Sequence, residues 1–139
     1  MKIDMPKNWQ FQTEMRVRVS DLNYGNHLGN EVFLIFAQEA RVRFFDSFGF
    51  TELNFGGESL IQGDAAITYK GEGHLGDLVQ IEIATEITGS SSFNVFYRFY
   101  NKTKEKEMAH LRTAIVSFDY EKGRPVAISK AALESGVFQ

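Results

Sequence analysis

Alternation of apolar and polar residues predicts five strands along this chain. Residues 11–19 alternate, with Met15, Val17 and Val19 on one face and Arg16 and Arg18 on the other. Four later segments also have strand-like patterns and are joined by short turns, which favours hairpins and therefore an antiparallel sheet. These four segments are residues 60–70, 77–88, 93–100 and 108–120.

Between the first two strands, the spacing predicts a helix from Glu31 to about Phe48, with Asn30 as its cap and Gly49 as its stop. Apolar residues extend well past one face, so we expect this helix to be largely buried. A flat sheet cannot cover one helix on several sides, and the sequence therefore predicts an α+β fold whose sheet curls around the helix. A short final helical turn is predicted at residues 130–135. The apolar helix positions are Val32, Phe33, Ile35, Phe36, Ala37, Ala40, Val42, Phe44 and Phe48.

Composition narrows the class of protein. With 139 residues, 43% of them hydrophobic and 24% charged, the chain is expected to form one soluble globular domain over residues 1–139. A formal charge of −3 gives no basic footprint for nucleic acid. There is no cysteine, no signal-like start and no membrane-length apolar run, so we expect a cytoplasmic protein. Thirteen phenylalanines indicate a ring-rich core or an apolar surface covered by another subunit.

The loop before the helix contains most of the candidate catalytic residues. It gathers Asp21, Asn23, His27 and Asn30 beside the predicted helix start. A helix N-terminus stabilises negative charge and has backbone N–H groups without intrahelical partners. An acid, a histidine and unpaired amides are the groups that acyl chemistry requires. The alternative is an ordinary turn whose Asx residues cap the helix.

The order of elements, together with this loop, resembles the hotdog-fold acyl-CoA thioesterases of the 4-hydroxybenzoyl-CoA thioesterase type. That family has Asp-x-Asp, two spacer residues, Gly-His-Val-Asn-Asn and then a helix with Glu-Ala-Arg. The resemblance covers residues 10–128 approximately. The matching segments here are Asp21-Leu22-Asn23-Tyr24-Gly25-Asn26-His27-Leu28-Gly29-Asn30, Glu39-Ala40-Arg41, Tyr69-Lys70, Gly76-Asp77 and Gly123-Arg124-Pro125.

The resemblance implies a hotdog fold and hydrolysis of an acyl-CoA thioester to the free acid and CoA. It implies no separate cofactor, because coenzyme A is part of the substrate. Members of the family join two sheets edge to edge as a homodimer and place the acyl-CoA site at the subunit interface. A homotetramer built as a dimer of dimers is also open. No nucleic-acid or membrane partner is expected.

Two positions depart from the family pattern. Asn23 replaces the aspartate that acts as nucleophile or general base, and Gly29 replaces the first asparagine of the pair. An amide cannot deprotonate water, so Asn23 is limited to orienting a water or binding a carbonyl. Either another carboxylate replaces the base or the chain is a non-catalytic acyl-thioester binder. An enoyl-CoA hydratase or dehydratase, with Asp-x-Asn-Pro-x-His, fits less well because the loop lacks proline and its aspartate-to-histidine gap is one residue longer.

Three carboxylates are candidate replacements. Asp21, two residues before Asn23, would face the same cleft if the strand continues, or it would instead hold loop amides. Glu39 falls on an apolar helix face, where desolvation favours a base; the alternative is a pair with Arg43. Asp64 interrupts an apolar strand and would point into the cleft or cap a bulge at the preceding glycine.

The remaining site predictions concern binding. His27 is expected to orient the loop or bind a carbonyl. Gly29 and Asn30 are the oxyanion-hole candidates, because glycine lets a thioester oxygen approach the backbone. The three histidines do not have metal-ligand spacing, so no metal is predicted. Glu72 and His74 are expected to be solvated. Basic side chains proposed as a rim for the CoA phosphates are Arg98, Lys102, Lys104, Arg112 and Arg124.

Overall fold

The computed structural model describes residues 1–139 and consists of one antiparallel sheet, a long helix and a short one. The elements are β1 (Phe11–Arg16), α1 (Asn30–Asp46), β2 (Ser59–Tyr69), β3 (Leu78–Ile87), β4 (Ser92–Asn101), β5 (Lys106–Asp119), β6 (Arg124–Pro125) and α2 (Lys130–Glu134). Five main strands lie in the order β1-β3-β4-β5-β2, and β6 pairs with β5. The predicted α+β arrangement is confirmed.

The core lies between α1 and the central strands and is rich in aromatic rings. Phe45 of α1 packs on Phe55 with ring centroids 5.0 Å apart, and Phe55 stacks on Phe93 of β4 at 5.5 Å. Phe138, near the C-terminus, packs against Phe93 with ring centroids 4.9 Å apart. Such offset and edge-to-face pairs add to the stability that burial itself provides. The predicted ring-rich core is therefore confirmed, and it anchors the second half of α1.

The elements that flank the loop differ from their predicted bounds. The first strand ends at Arg16, and Val19–Asp21 forms a 3-10 turn because the Asp21 carboxylate accepts the Arg18 N–H at 2.8 Å. The predicted cap is wrong: Gly29 is in the N-cap position, and Asn30 is already helical. The helix ends at Asp46, and residue Gly49 follows in the left-handed conformation with φ of 77°.

The expectation that α1 is largely buried is wrong for the single chain. Its inner side packs on the sheet, but Leu34, Ile35 and Val42 on the opposite side are 41%, 54% and 45% exposed. The reason is that the sheet contacts one side of the helix only. These three side chains leave an apolar surface on the outside of the chain. Neither helix combines the length and apolarity that a membrane span requires.

Strand β2 forms one edge of the sheet and is irregular at its centre. Its pairing with β5 shifts register between Gln62 and Asp64, so Gly63 lies in the predicted bulge. Residues 63–65 are exposed even though they belong to an 11-residue strand. This edge of the sheet is therefore exposed at its centre.

Candidate active site

The loop between the 3-10 turn and α1 is compact and closed on itself. Leu22 and Leu28 form an isolated β-bridge, and the Asn23 N–H donates to the His27 carbonyl at 2.9 Å. Asn26 at the tip has φ of 62°, a left-handed conformation that asparagine tolerates better than most residues. The Leu28 N–H donates to the Gly73 carbonyl at 2.7 Å, which fixes the loop to the turn before β3.

Asn23 uses its side chain to order this loop. Its Oδ1 accepts the N–H of Gly25 at 2.9 Å and the N–H of His27 at 3.4 Å. These are the local hydrogen bonds of an Asx turn. The asparagine at the family's aspartate position therefore has a structural use for its carbonyl oxygen. A further role in orienting water stays a prediction.

His27 is half-buried, and the Nε2 edge of its ring lies beside Gly25 of the same loop. Its Nδ1 lies 3.3 Å from the Leu28 carbonyl oxygen and 3.5 Å from Nδ2 of Asn23. The shorter contact favours the tautomer in which Nδ1–H donates to Leu28. A Cβ on Gly25 would lie 3.1 Å from Nε2, so glycine at this position leaves room for the ring. Nε2 has no hydrogen-bond partner and is available to a ligand.

Asp21 is buried and fully engaged by Arg18. Its carboxylate accepts the Arg18 backbone N–H at 2.8 Å, Nε at 3.1 Å and Nη2 at 3.0 Å. Burial opposes ionisation, but the hydrogen bonds and the charge of Arg18 outweigh it and hold the pKa of the Asp21 carboxyl below its ordinary value. A carboxylate in this state is a weak base. The structure matches the alternative in which Asp21 holds the loop.

Glu39 is exposed rather than set in an apolar face, so the expected desolvation is wrong. Its side chain is 51% exposed, and Oε2 accepts a hydrogen bond from Nε of Arg43 at 2.9 Å. The cause is that this side of α1 faces away from the sheet. Glu39 does line a cleft of about 290 Å³ between β1 and α1. The same cleft is lined by three arginines, Arg16, Arg18 and Arg43, and by a second carboxylate, Glu14, so its charges are mixed; sequence reasoning missed this cleft.

The other predicted side chains are spread over the sheet. Asp64 is exposed and pairs with Nη1 of Arg112 at 2.9 Å. Arg98 pairs with Glu82 at 2.8 Å and also with Glu107. Two of the three arginines predicted for CoA phosphates are therefore already in ion pairs.

The last of those arginines, Arg124, is exposed on β6 and makes no ion pair. Glu72 and His74 lie in the turn before β3 with side chains 62% and 50% exposed, which confirms their predicted solvation. No three His, Asp or Glu side chains converge as metal ligands. The prediction of no metal is not tested by this and stays a prediction.

The start of α1 offers backbone donors, but not the one predicted at Gly29. The Gly29 N–H donates to the Asp21 carbonyl at 3.1 Å, so it is not available as an oxyanion donor. The next two N–H groups, of Asn30 and Glu31, have no intrahelical partner, and no side chain caps them. The Tyr69 hydroxyl donates to the Asn30 carbonyl at 3.2 Å and ties the helix start to the end of β2.

Gly29 has a second property that follows from its missing side chain. The space that a Cβ would take is occupied by the carboxylate of Glu31, whose Oε1 lies 2.7 Å from the ideal Cβ position. Sequence reasoning missed Glu31, and it noted Tyr69 only as part of the family-like segments without giving it a role. The only available signal for Glu31 was an acidic residue in the first turn of a helix, which is common on electrostatic grounds alone.

Arg41, from the family-like Glu-Ala-Arg segment, lies in a buried network rather than at the loop. Its Nε donates to Glu52 at 2.6 Å and its Nη1 donates to the Tyr97 hydroxyl at 2.8 Å. The Tyr97 hydroxyl also contacts Oγ1 of Thr113 at 2.8 Å. Burial raises the pKa of Tyr97, although Arg41 opposes that effect, so the phenol stays protonated at neutral pH. The network connects α1 to β4 and β5.

Comparison with known proteins agrees with this architecture. The sequence matches the family model described as the thioesterase-like superfamily over residues 17–135. Among curated proteins, none matches the sequence significantly.

Solved structures with the same fold are numerous. A 1,4-dihydroxy-2-naphthoyl-CoA thioesterase from Synechocystis superposes with a TM-score of 0.83 at 17% identity, over 90% of this chain and 93% of that one. A thioesterase from Thermus thermophilus, solved with coenzyme A and Zn, superposes with a TM-score of 0.79 at 23% identity, over 92% of this chain and 98% of that one. A hypothetical protein from Aquifex aeolicus superposes with a TM-score of 0.81 at 20% identity, over 91% of this chain and 98% of that one. The chain belongs to the thioesterase-like superfamily and has its hotdog fold.

Proposed function

We propose that this protein hydrolyses acyl-CoA thioesters to the free acid and CoA. Membership of the thioesterase-like superfamily supports thioester hydrolysis. Coenzyme A as the thiol part is supported by the loop's resemblance to the 4-hydroxybenzoyl-CoA type. It is also supported by the structural neighbour from Thermus thermophilus, which was solved with coenzyme A.

One observation carries the proposal: the unpaired N–H groups of Asn30 and Glu31 at the start of α1. When water attacks a thioester carbonyl, negative charge develops on the carbonyl oxygen. Two preorganised amide donors and the positive end of a helix stabilise that charge. Nε2 of His27, on the loop that leads into the same helix, has no partner within the chain and can accept a hydrogen bond from a water.

The proposed active form is a homodimer joined through the β2 edges. An edge strand presents outward N–H and C=O groups that can pair with a strand of another chain, and β2 is an edge strand of 11 residues. The exposed Leu34, Ile35 and Val42 of α1 add apolar surface that a second copy would cover. Sedimentation at twice the chain mass of 15.8 kDa supports the dimer. A monomer at micromolar concentration contradicts it, and a species twice as heavy again indicates the dimer of dimers.

The direct test is thiol release from a panel of acyl-CoAs. Purified protein is incubated with short, long and aromatic acyl-CoAs and a chromogenic thiol reagent. The proposal predicts release above the uncatalysed rate with at least one acyl class. Absence of release across the whole panel contradicts it.

The oxyanion donors are tested by removing a single backbone N–H. Asn30→Pro removes the Asn30 N–H, and proline is well tolerated at the first helical position. The preceding Gly29, at φ −65° and ψ 147°, already has the backbone that a residue before proline adopts. We expect kcat to fall about 10²- to 10³-fold, the cost of one oxyanion donor.

Two control variants isolate that N–H group. Lys130→Pro makes the same change at the first residue of α2, after the N-cap Ser129, and should leave kcat unchanged. Asn30→Ala keeps the N–H but removes the side chain, and should lose much less activity than Asn30→Pro. Equal losses in Asn30→Ala and Asn30→Pro would mean that the side chain, and not the amide, is what matters.

A non-catalytic acyl-thioester binder is the second candidate, and the engaged state of Asp21 together with the amide at Asn23 favours it. Both positions of the family's Asp-x-Asp segment lack an available carboxylate. A binder would show tight binding of acyl-CoA by calorimetry with no thiol release. Release by the wild-type chain rejects this candidate.

A further inference from the structure

The carboxylates near the loop differ in how they are paired. The three that the sequence suggested as a replacement base are all engaged with a basic side chain: Asp21 with Arg18, Glu39 with Arg43 and Asp64 with Arg112. Glu31 has neither an ion pair nor a hydrogen bond through its carboxylate. It is also exposed, so water reaches it. Its lone pairs are therefore available to a reacting water molecule.

The Glu31 side chain does not extend into solvent but folds back over Gly29. Both of its oxygens lie within 3.0 Å of the position that a Cβ on Gly29 would take. The carboxylate therefore lies over Gly29, at the start of α1. The Tyr69 hydroxyl donates to the Asn30 carbonyl at the same helix start. Burial, and then the charge of Glu31, raise the pKa of the Tyr69 phenol, as the closeness of the two groups requires.

We propose that Glu31 is the catalytic general base of this protein, an inference that rests on the proposed thioester hydrolysis. The Glu31 carboxylate removes a proton from water as the water oxygen bonds to the thioester carbonyl carbon. The carbonyl π electrons move to oxygen, where the Asn30 and Glu31 N–H groups hold the charge. Collapse reforms the C=O bond and breaks the C–S bond. The sulfur leaves with the electron pair and takes the proton from the Glu31 carboxyl, which gives the free acid and CoA thiol.

This assignment gives one explanation for both departures from the family pattern. Asn23 removes the base at the usual position, and Gly29 removes the side chain at the position where the family has asparagine. The volume released at Gly29 is the volume that the Glu31 carboxylate fills. The two changes together move the carboxylate from the loop to the first turn of the helix.

The test compares Glu31→Gln with the wild type in the thiol-release assay. Glutamine keeps the shape and removes the base, so we expect kcat to fall about 10²- to 10⁴-fold with KM nearly unchanged. Glu86→Gln is the matched control, because Glu86 is an exposed, unpaired carboxylate on β3, and it should keep the wild-type rate.

A double-mutant cycle with Gly29→Ala separates this role from a general loss of structure. A methyl group at Gly29 meets the Glu31 carboxylate and displaces it, whereas the backbone at φ −65° accepts alanine. Gly29→Ala should therefore reduce kcat at least tenfold in the wild type and have little effect in the Glu31→Gln background. Unchanged thermal unfolding verifies that both variants fold.

Each outcome decides between the proposals. Active wild type with active Glu31→Gln overturns the role of Glu31 but leaves the proposed hydrolysis standing. Equal effects of Gly29→Ala in both backgrounds also overturn it, since the methyl group then acts by another route. Wild-type protein that releases no thiol from any acyl-CoA overturns both proposals.

Discussion

Arg41 and Glu31 lie on the same helix and carry opposite charges, yet their surroundings differ completely. The Arg41 side chain is only 6% exposed and donates hydrogen bonds to Glu52 and Tyr97. The Glu31 carboxylate is exposed and has no partner of its own. The first residue holds α1 against the sheet, and the second has its bonding capacity left over for a ligand. The comparison teaches that lying on the same helix does not give two charged residues the same use, because the protein satisfies the bonding capacity of Arg41 and leaves that of Glu31 unused.

The largest expected effect comes from substituting Arg41, the buried residue of this pair. Arg41→Met removes the cation and leaves Glu52 and the Tyr97 hydroxyl without their donor. Removing one member of a buried pair costs about 3–5 kcal/mol. We expect the lower end of that range, because the Glu52 side chain is 31% exposed and can rehydrate. Urea denaturation measures it, and Tyr97→Phe should cost roughly 1–2 kcal/mol. A change below about 0.5 kcal/mol, the range of neutral surface substitutions, would show that the network is dispensable.

The next largest effect is expected on activity, from substituting His27 in the loop before α1. His27→Ala removes the ring that binds the Leu28 carbonyl and presents Nε2, and the loop then loses its ordered position. A misplacement of about 1 Å at a reacting centre costs up to about 10²-fold in rate. We expect kcat/KM to fall by up to that factor while the unfolding free energy stays almost unchanged. A loss of unfolding free energy as large as the loss in activation free energy would show instead that His27 mainly stabilises the fold.

A smaller effect is expected at Asp21, which stabilises the fold although it lies in the loop. Its folded-state pKa is below the unfolded value, so its contribution to stability is complete above the unfolded pKa, about 3.9. It is lost as the pH falls through the lower folded-state pKa. Asp21→Asn should therefore lower the free energy of unfolding by about 1 kcal/mol at pH 7. The loss is small because Arg18 is largely solvated. The cost should shrink as denaturation is repeated at a pH below about 4, the unfolded value. A cost that does not depend on pH contradicts the ion pair.

The smallest effect is expected for Asn23→Asp. Aspartate keeps an oxygen that accepts the Gly25 and His27 N–H groups, so the loop should fold as before. If Glu31 already provides the base, a second carboxylate changes kcat by less than about tenfold, well below the roughly 10²- to 10⁴-fold value of a lone base. Activity that appears only in the Asp variant would instead identify the wild type as a binder.

Much of the fold could be predicted from the sequence because its signals are local. Alternation found the strands, helical spacing found α1, and Gly63 marked the bulge in β2. Burial of individual polar groups could not be predicted in the same way. Whether Asp21 faces a cleft depends on how far Arg18 reaches across the turn. Periodicity alone does not show that Glu39 lies on the side of α1 that the sheet leaves open.

The arrangement of the candidate site was predictable as a region of the chain but not as a set of atomic contacts. The loop and helix start were identified from their polar residues and glycine, and the structure keeps them together. The Gly29 amide was assigned as a donor although the Asp21 carbonyl occupies it. The position of the Glu31 side chain depends on the empty Cβ volume of Gly29, which is a three-dimensional property. Contacts of this kind are set by packing, and no residue pattern encodes them.

The most direct test of the account is a crystal structure with a non-hydrolysable acyl-CoA analogue in which a methylene group replaces the thioester sulfur, leaving a ketone. We predict that the ketone oxygen accepts a hydrogen bond from the Asn30 or Glu31 nitrogen, at a normal length of roughly 2.7–3.2 Å. A water or the Glu31 carboxylate should lie beside the ketone carbon. A ketone bound away from the start of α1, with those two N–H groups still open to solvent, would contradict the account.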